Sequence, residues 1–210
     1  RVSRENVNWA DHDEENISHY ANATTDIEYK VPWGFDELWG LASRTDFDLT
    51  QHQTHSGQNL EYLDPDTNEK YLPYVIEPSL GVERLFLAVL NEAYHEETLE
   101  DNETRINLKL HPALAPYKVA VLPLIKKYHS EKAMELYAFL SKHFMVTFDD
   151  AGKIGKRYRR QDAIGTPFSI AVDDDAKNED LYTVRDRDTM EQVTVKKEDL
   201  INYLYEKTQF

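Results

Sequence analysis

The chain has 210 residues, of which 40% are hydrophobic and 30% are charged, proportions that are typical of a globular protein with one or two domains. No apolar run approaches the ~18 residues of a membrane-spanning helix, and no apolar region follows Arg1 to Glu5 as a signal peptide requires, so neither segment is predicted. The chain contains no cysteine, which excludes disulfides and cysteine-based zinc sites and suits a reducing compartment such as the cytoplasm.

The net charge of −15 is unevenly distributed along the chain. Residues 1–110 hold 8 Lys and Arg against 23 Asp and Glu, whereas residues 111–210 hold 16 of each. This asymmetry predicts two modules. An acidic total argues against nucleic-acid binding, but a neutral second half can still carry a basic stripe. Because the chain starts at Arg1 and not at methionine, we expect it to be part of a longer protein.

Apolar runs and turn-forming residues predict short elements in the first half. Residues 26–34 are predicted to form a strand that ends at a Pro/Gly break, and residues 45–57 a short helix that a glycine closes. Residues 60–77 predict a hairpin around Asp-Pro-Asp-Thr-Asn. Residues 80–94 predict a helix so apolar that we expect it to be buried. The acidic stretch 95–105 is predicted to be a solvated connector between domains.

The second half alternates apolar runs with amphipathic segments, which predicts a parallel sheet covered by helices. The predicted elements are strands at 117–124, 144–148 and 166–173, a helix capped by Ser130, a helix from Lys153 to Ile164 stopped by Gly165, an acidic loop at 173–180, a hairpin at 182–195 and a last helix from Lys197. The apolar face of the first helix is predicted to consist of Ala133, Leu136, Tyr137 and Leu140.

The stretch Glu-Pro-Ser-Leu-Gly-Val-Glu-Arg, residues 77–84, stands directly before the apolar run Leu-Phe-Leu-Ala-Val-Leu. Arg84 is thereby embedded in an apolar helix pattern and must find an anion, because burial of an unpaired guanidinium is costly. One interpretation is an internal ion pair with Glu83 or another carboxylate. The other is a ligand phosphate, which the planar guanidinium suits. Gly81 favours the second, because glycine lets a ligand approach the backbone closely.

A basic stripe is predicted on the helix that starts at Lys153. Its members fall at i, i+3, i+4 and i+7 and are Lys153, Lys156, Arg157 and Arg160, with Arg159 beside them. Such a face is either merely solvated or binds nucleic-acid phosphates. Arg185 and Arg187 would point the same way from a strand, although the Arg-Asp-Arg-Asp run could equally pair with itself across a hairpin.

Two further groups of residues carry no predicted chemistry. His52 and His55 lie three residues apart, but no third ligand stands at a recognisable spacing, so we predict no metal site. Trp33 and Trp39 are predicted to be core residues, as bulky aromatic side chains usually are.

The 77–84 stretch and its apolar sequel resemble the third signature motif of class II aminoacyl-tRNA synthetases. The flanking stretches that resemble the dimeric glycyl-tRNA synthetases are HYANATTDIEY, DELWGLASRTDFDL, HSGQNLEYLDP, YLPYVIEPSLGVER, GKRYRRQDAIGTPFSIAVD and TVRDRDTMEQV. The resemblance covers nearly the whole chain and is weakest in the first twelve residues. It implies that residues 1–110 are the C-terminal part of an antiparallel catalytic domain. Residues 111–210 would be an α/β anticodon-binding domain with a mixed or parallel sheet.

The resemblance also implies roles for individual residues. Those implied to contact ATP are Glu37, Leu38, Gly81, Val82, Glu83 and Arg84. Those implied to contact glycine are Glu77, Pro78, Ser79, Leu80 and Gly81. Those implied to contact tRNA are the basic stripe with Arg159, Arg185 and Arg187. Arg84 would hold the ATP phosphates, and Glu77 would supply the carboxylate that a substrate ammonium requires. Without the resemblance, Glu37 would be interpreted as a surface carboxylate in a turn.

The implied reaction is the activation of glycine with ATP and Mg²⁺ and its transfer to tRNA(Gly), in a cytoplasmic homodimer. No residue here need act as a nucleophile or base, because positioning and charge neutralisation suffice. The sequence lacks the two earlier class II motifs, so we expect these 210 residues alone to be inactive.

Two alternatives are a non-catalytic nucleic-acid-binding protein, like the accessory subunit of mitochondrial DNA polymerase, and a standalone anticodon-type domain. The intact set of Glu77, Ser79, Gly81 and Arg84 favours the enzyme over the first alternative. The second is disfavoured because half of the chain resembles a catalytic domain.

Overall fold

The computed structural model describes residues 2–99 and 102–210, which divide into two compact units, Arg1–Asn91 and Glu92–Phe210. The units differ from the two predicted domains in that residues 92–110 belong with the second unit. The domain limit at residue 110 therefore stays a prediction. Among the described residues, no helix combines the length and the apolar character that a membrane crossing demands.

The first unit is built on an antiparallel sheet. Its elements are 3₁₀ turns at Arg4–Asn6 and Glu14–Asn16, β1 (Val7–Asp11), β2 (Ala23–Val31), β3 (Gly34–Ser43), α1 (Phe47–Ser56), β4 (Tyr62–Leu63), β5 (Lys70–Tyr71), β6 (Ile76–Leu80) and α2 (Val82–Ala93), the last of which runs past the division. Four strands pair in the order β1-β2-β3-β6, all antiparallel, and β4 pairs with β5. This confirms the predicted antiparallel sheet.

Several local predictions for the first unit are confirmed. The strand predicted at 26–34 overlaps β2, which begins three residues earlier and ends at Val31, and the predicted hairpin holds the short pair β4 and β5. Gly57 ends α1 with a φ of +68°, a left-handed conformation that glycine adopts without steric cost. The sequence does not predict β3, because glycine and charged residues interrupt its apolar pattern.

The predicted burial of α2 is wrong for one of its faces. Ala88 is fully buried against Tyr29 and Leu38, but Val82 and Phe86 are 72% and 64% exposed. The apolar composition of a helix does not reveal which of its faces a neighbouring sheet will cover. The predicted core tryptophans are likewise exposed, because they lie on the hairpin and strand surface of the same sheet.

The second unit has a mixed sheet covered by helices. Its elements are β7 (Tyr94–Thr98), β8 (Thr104–Leu108), β9 (Val119–Pro123), α3 (Lys126–Leu140), β10 (Val146–Phe148), α4 (Ile154–Ile164), β11 (Phe168–Val172), α5 (Asp174–Glu179), β12 (Leu181–Asp186), β13 (Gln192–Lys196) and α6 (Leu200–Thr208). The sheet order is β10-β9-β11-β12-β13, with β9 parallel to both neighbours and the other pairs antiparallel. This confirms the predicted α/β arrangement.

Two loops predicted in the second unit are regular elements. The stretch predicted to be a solvated connector forms the antiparallel hairpin of β7 and β8, although Glu100 and Asp101 lie outside the described residues. The predicted acidic loop contains α5, because the side chain of Asp173 accepts a hydrogen bond from the N–H of Ala176 and caps the helix. High polarity alone therefore gave a wrong prediction in both places.

The start of α3 is also wrongly predicted, whereas its buried face is confirmed. Ser130 lies inside the helix, which begins at Lys126, and Nδ1 of His129 accepts a hydrogen bond from the Ile125 N–H at 3.0 Å in place of a serine cap. The apolar residues predicted for the face pack into the core, with Ala133, Leu136 and Leu140 fully buried and Tyr137 partly buried.

Candidate functional site

The signature stretch forms the edge strand β6 and the first turn of α2. β6 pairs with β3, so that Ser79 lies opposite Gly40 and Pro78 opposite Leu41. Proline is tolerated here because β6 is the last strand of its sheet and one side of it forms no ladder. The predicted passage from a strand into a helix at Gly81 is confirmed.

Arg84 lies at a cavity of about 220 Å³ that is also lined by Glu37 and Leu38. Nη1 of Arg84 donates to the backbone oxygen of Glu37 and lies 3.4 Å from Glu37 Oε2 and 3.6 Å from Asp36 Oδ1. Its side chain is 51% exposed, so the expected burial is wrong. The fold thus brings together three predicted nucleotide-contacting residues, and the guanidinium keeps an accessible surface for a further anion.

A second cavity, of about 230 Å³, includes Glu37, Glu77 and Ser79 together with Asp26 and Gly40. A Cβ atom placed on Gly40 would lie 3.1 Å from Ser79 Oγ, 3.5 Å from Asp26 Oδ1 and 3.6 Å from Glu37 Oε1. Three side-chain oxygens therefore converge over a residue without a side chain. A small cavity with several carboxylates suits a small cationic group. Glu37 lines both cavities, so they adjoin each other.

Five other residues of the signature stretch, which the resemblance implies to contact ATP or glycine, do not line either cavity. Pro78, Leu80, Gly81, Val82 and Glu83 are exposed, and neither cavity formed by residues 2–99 and 102–210 includes them. Gly81 lies close to the stem of Arg84 instead, with its hypothetical Cβ 3.4 Å from Arg84 Cδ. Their roles remain predictions.

Sequence reasoning did not single out Arg44, which contacts Glu77 directly. Nη1 of Arg44 donates to Glu77 Oε2 at 2.6 Å, and Nε and Nη2 donate to the two oxygens of Asp48 at 2.5 and 2.9 Å. The hydrogen bonds to Asp48 and Glu77 raise the pKa of Arg44. The hydrogen bonding from Arg44 in turn lowers the pKa of Asp48. The i, i+4 spacing of Arg44 and Asp48 was the one signal available in the sequence.

Asp26 has a partner of its own at the second cavity. His12 Nε2 lies 2.8 Å from Asp26 Oδ2, and this hydrogen bond raises the pKa of His12. The hydrogen bond to His12 would fix the orientation of the Asp26 carboxylate at this cavity.

The basic stripe of the second unit is only partly a surface feature. Arg157 is 4% exposed, because Nε and Nη2 donate to the Gly152 oxygen at 3.1 and 2.6 Å and Nη1 donates to the Pro123 oxygen. It therefore fastens the start of α4 to the end of β9 and to the loop that precedes the helix. The prediction that it shares an exposed face with Lys153 and Lys156 is wrong, because local spacing does not reveal which backbone oxygens lie nearby.

Arg185 and Arg187 are also buried, and Arg187 lies beyond the end of β12, so the two do not point the same way from one strand. Both terminal nitrogens of Arg185 bind Asp162, at 2.9 and 3.2 Å, and Nε of the buried Arg105 binds the same carboxylate at 3.0 Å. Arg187 donates to the backbone oxygens of Gly165 and Leu110 at 2.8 Å and pairs with Asp188. These guanidiniums hold strands and loops of the second unit together.

The remaining basic residues lie at the surface. Lys153 and Lys156 are exposed at the start of α4. Arg160 binds both oxygens of Asp149 at 2.8 Å, and Arg159 lies 3.4 Å from Glu103. Exposed ion pairs of this kind are weak, so these arginines can exchange carboxylates for phosphates at little cost.

Comparison with known proteins bears on both units. Residues 118–207 match the family model described as "Anticodon binding domain". The whole chain is similar to proteins named glycine–tRNA ligase, with 58% identity to that of Bacillus cereus, 56% to that of Clostridium beijerinckii and 55% to that of Alkaliphilus oremlandii. Over its whole length the chain is therefore similar to part of a glycyl-tRNA synthetase.

Each of these alignments covers 100% of the chain and 45% of the relative, so the chain spans somewhat less than half the length of these glycyl-tRNA synthetases. These relatives are named as enzymes, and their names do not favour the alternative of a non-catalytic nucleic-acid-binding protein. The first unit, which lies outside the anticodon-binding match, is covered by the same alignments.

Proposed function

We propose that the chain is part of a longer enzyme that activates glycine with ATP and transfers it to tRNA(Gly). The observation that carries the proposal is the adjacency of the two cavities through Glu37. A nucleotide phosphate held by Arg84 and an ammonium group held by Glu77 would then lie side by side. Both are needed in one place when an amino acid is joined to a nucleotide.

In the proposed reaction, a carboxylate oxygen of glycine attacks the α-phosphorus of ATP. A bond between that oxygen and phosphorus forms, the bond from the α-phosphorus to the bridging oxygen breaks, and pyrophosphate leaves. A ribose hydroxyl at the tRNA 3′ end then takes the glycyl group from the adenylate, and AMP leaves. Arg84 contributes charge neutralisation at the phosphates, where preorganised cations are most effective.

Selection of glycine would come from exclusion, since glycine offers no side chain to bind. The oxygens of Ser79, Asp26 and Glu37 lie within 3.6 Å of the Cβ position above Gly40. A larger substrate side chain would clash with these atoms or strip them of water. Glu77 would contribute a carboxylate to the substrate ammonium.

Mg²⁺ would neutralise the ATP phosphates in this reaction. Among residues 2–99 and 102–210, no three acidic or histidine side chains are grouped to hold a metal ion. We therefore assign the ion chiefly to the phosphates, a mode that Mg²⁺ commonly uses. Arg84 is the group of this chain placed to share the phosphate charge.

The second unit would bind the anticodon arm of tRNA(Gly) through its exposed bases Lys153, Lys156, Arg159 and Arg160. We further propose that residues 1–110 are the catalytic part and residues 111–210 the anticodon-binding part, in a homodimer that acts in the cytoplasm. The match to an anticodon-binding model over residues 118–207 supports the assignment of the second part.

The test is glycine-dependent exchange of pyrophosphate into ATP by the full-length protein that carries this chain. Glu77→Gln should raise KM for glycine about ten- to a hundredfold, the effect of losing one charge-assisted hydrogen bond, and leave KM for ATP nearly unchanged. Glu61→Gln, at an exposed position away from both cavities, is the matched control. Equal effects on both substrates would contradict the role of Glu77, and absence of exchange by the unmodified protein would contradict the activity itself.

A further inference from the structure

The parallel strands of the second unit end at one edge of their sheet. β9 lies between β10 and β11, and Val172 at the end of β11 pairs with Pro123 at the end of β9. The chain passes from β9 to β10 through α3 and from β10 to β11 through α4, so the direction of connection reverses there. Ligands of open α/β sheets bind outside the carboxyl ends of the strands at such a reversal. We call this region, which comprises residues 124–128, 149–153 and 173–177, the carboxyl edge.

A buried histidine holds an exposed carboxylate at the carboxyl edge. His129 is 1% exposed, and its Nδ1 accepts a hydrogen bond from the Ile125 N–H at 3.0 Å. Because Nδ1 is an acceptor, the ring proton lies on Nε2, which donates to Oδ1 of Asp174 at 3.1 Å. The side chain of Asp174 is nevertheless 82% exposed. The fold therefore fixes one oxygen of Asp174 from behind, while Oδ2 accepts no hydrogen bond from the part of the chain that the structure describes.

An exposed aromatic ring lies at the same edge. Tyr128, which precedes His129 in the first turn of α3, is 56% exposed. Nζ of Lys127 lies 5.5 Å from the centre of the Tyr128 ring, and Nζ of Lys177, from α5, lies 3.4 Å from the Tyr128 backbone oxygen. An accessible ring flanked by bases is suited to an unstacked nucleotide, because the ring stacks on the base while the cations attract the phosphates.

The surface bases of α4 border this edge as well. Nη1 of Arg157 donates to the Pro123 oxygen, and Nζ of Lys126 lies 2.8 Å from Asp150 Oδ2. These contacts bring the start of α4 next to the start of α3. The exposed Lys153 and Lys156 are therefore available to the same length of RNA backbone as Tyr128 is to its bases.

We propose that the carboxyl edge binds one unstacked base of the anticodon loop. Tyr128 stacks on the base, and Oδ2 of Asp174 accepts a hydrogen bond from an exocyclic amino group. His129 is a positioning residue, because it orients Asp174 without reaching the RNA. A carboxylate discriminates in this way because cytosine, adenine and guanine carry an amino group and uracil does not. This inference rests on the proposed function, since it assumes that the second unit binds the anticodon arm of tRNA(Gly).

The experiment measures binding of two transcripts by the full-length protein that carries this chain. One is tRNA(Gly), and the other is the same transcript with its anticodon bases changed to uridine. Asp174→Ala should reduce the preference for the unchanged transcript about ten- to a hundredfold and alter binding of the uridine transcript less than about threefold, because one charge-assisted hydrogen bond is lost. Asp175→Ala is the matched control, since it removes the same charge from the next exposed residue and should leave the preference unchanged.

Stacking is tested separately at Tyr128. Tyr128→Ala should weaken binding of tRNA(Gly) about five- to a hundredfold, the loss that removal of one base–aromatic stack causes. The slope of log K against log salt should stay the same, because no phosphate contact is lost. Tyr128→Phe should bind normally, since it keeps the ring. Tyr205→Ala, at a tyrosine of α6 that is 58% exposed, is the matched control.

The positioning role of His129 is tested by comparing two substitutions. His129→Gln keeps an N–H group that can reach Asp174, whereas His129→Ala keeps none, so the glutamine variant should retain more of the preference for the unchanged transcript. Both lose the bond from Ile125, so a residue that only stabilised the fold would lower the melting temperature in both and leave the preference intact. Should His129→Ala fail to fold, His129→Gln is compared with Asp174→Ala, whose exposed side chain can be removed without disturbing the core.

The outcomes separate this inference from the proposed function. If the unmodified protein does not bind tRNA(Gly), the proposed role of the second unit itself fails. If it binds with a preference for the unchanged transcript, and that preference survives Asp174→Ala or the affinity survives Tyr128→Ala, only the present inference is overturned. Equal binding of both transcripts by the unmodified protein also overturns it, because no amino group is then recognised.

Discussion

Three arginines that the resemblance implies to bind ligands have opposite environments in the two units. Arg84, in the first unit, is half exposed beside a cavity and shares its charge with two surface carboxylates. Arg185 and Arg187, in the second, are 7% and 2% exposed and bind Asp162, Asp188 and backbone oxygens. An arginine that supports the fold uses all its donors internally, whereas one that binds a ligand keeps some accessible.

The comparison also separates two kinds of ion pair. The Asp162 carboxylate is buried between Arg105 and Arg185, so either guanidinium would be left poorly compensated without it. The partners of Arg84 are near water and can be replaced by a phosphate. We therefore expect loss of the Asp162 pairs to change stability and loss of Arg84 to change catalysis.

The largest expected effect is the loss of the buried pair. Asp162→Ala should lower the free energy of unfolding of the second unit by about 3–5 kcal/mol, because it leaves buried guanidiniums uncompensated. The unfolding of the second unit should be measured by hydrogen exchange of the β11 amides. Tryptophan fluorescence would report only on the first unit, because all three tryptophans, at 9, 33 and 39, lie there. Glu198→Ala, which removes the exposed pair with Lys196, should cost less than about 1 kcal/mol. Equal effects of the two substitutions would refute the distinction.

The next effect tests the accessible arginine. Arg84→Ala in the full-length protein should lower kcat/KM for ATP about ten- to a hundredfold, less than for a fully buried pair, because half of the side chain is already in water. Steady-state exchange at varied ATP measures it, with Arg4→Ala as the control. An unchanged value would show that Arg84 serves only as the partner of Asp36 and Glu37.

A smaller effect concerns the surface bases of α4. Lys153→Glu with Lys156→Glu should weaken binding of tRNA and make the slope of log K against log salt shallower by about 1.4–1.8, since each phosphate that a base neutralises adds about 0.7–0.9 to that slope. Charge reversal at Lys142 and Lys207, exposed lysines of the same unit, is the matched control. Arg157 is unsuitable for this test because its substitution would disturb folding. A slope that the double substitution leaves unchanged would mean that this face is only solvated.

The smallest effect is the titration of His12. Its pKa is raised by Asp26, so the pair adds stability that is fully present below the unfolded pKa of about 6.5 and is lost as the pH rises through the higher folded value. Proton NMR of the His12 ring should show a pKa above about 6.5 that falls in Asp26→Asn. A His12 pKa that Asp26→Asn leaves unchanged would exclude the pair.

Much of the architecture follows from the sequence alone. Apolar runs near 117–124 and 166–173 predict two strands of the second sheet, and the helical spacing of Ala133, Leu136 and Leu140 predicts the face that packs on it. Gly165 ends α4 as predicted, with a φ of +83°. These features are local, because they depend on backbone conformation and on which face of an element is apolar.

The site depended on contacts that no local pattern contains. Arg84 meets Glu37 across 47 residues and Arg44 meets Glu77 across 33 residues, since β3 and β6 lie side by side in one sheet. The i, i+3, i+4 spacing correctly places Lys156 and Arg157 on a helix but does not show that the arginine is buried. A guanidinium lies inside or outside according to the carboxylates and carbonyl oxygens that distant segments place around it, and only the tertiary structure decides where those are.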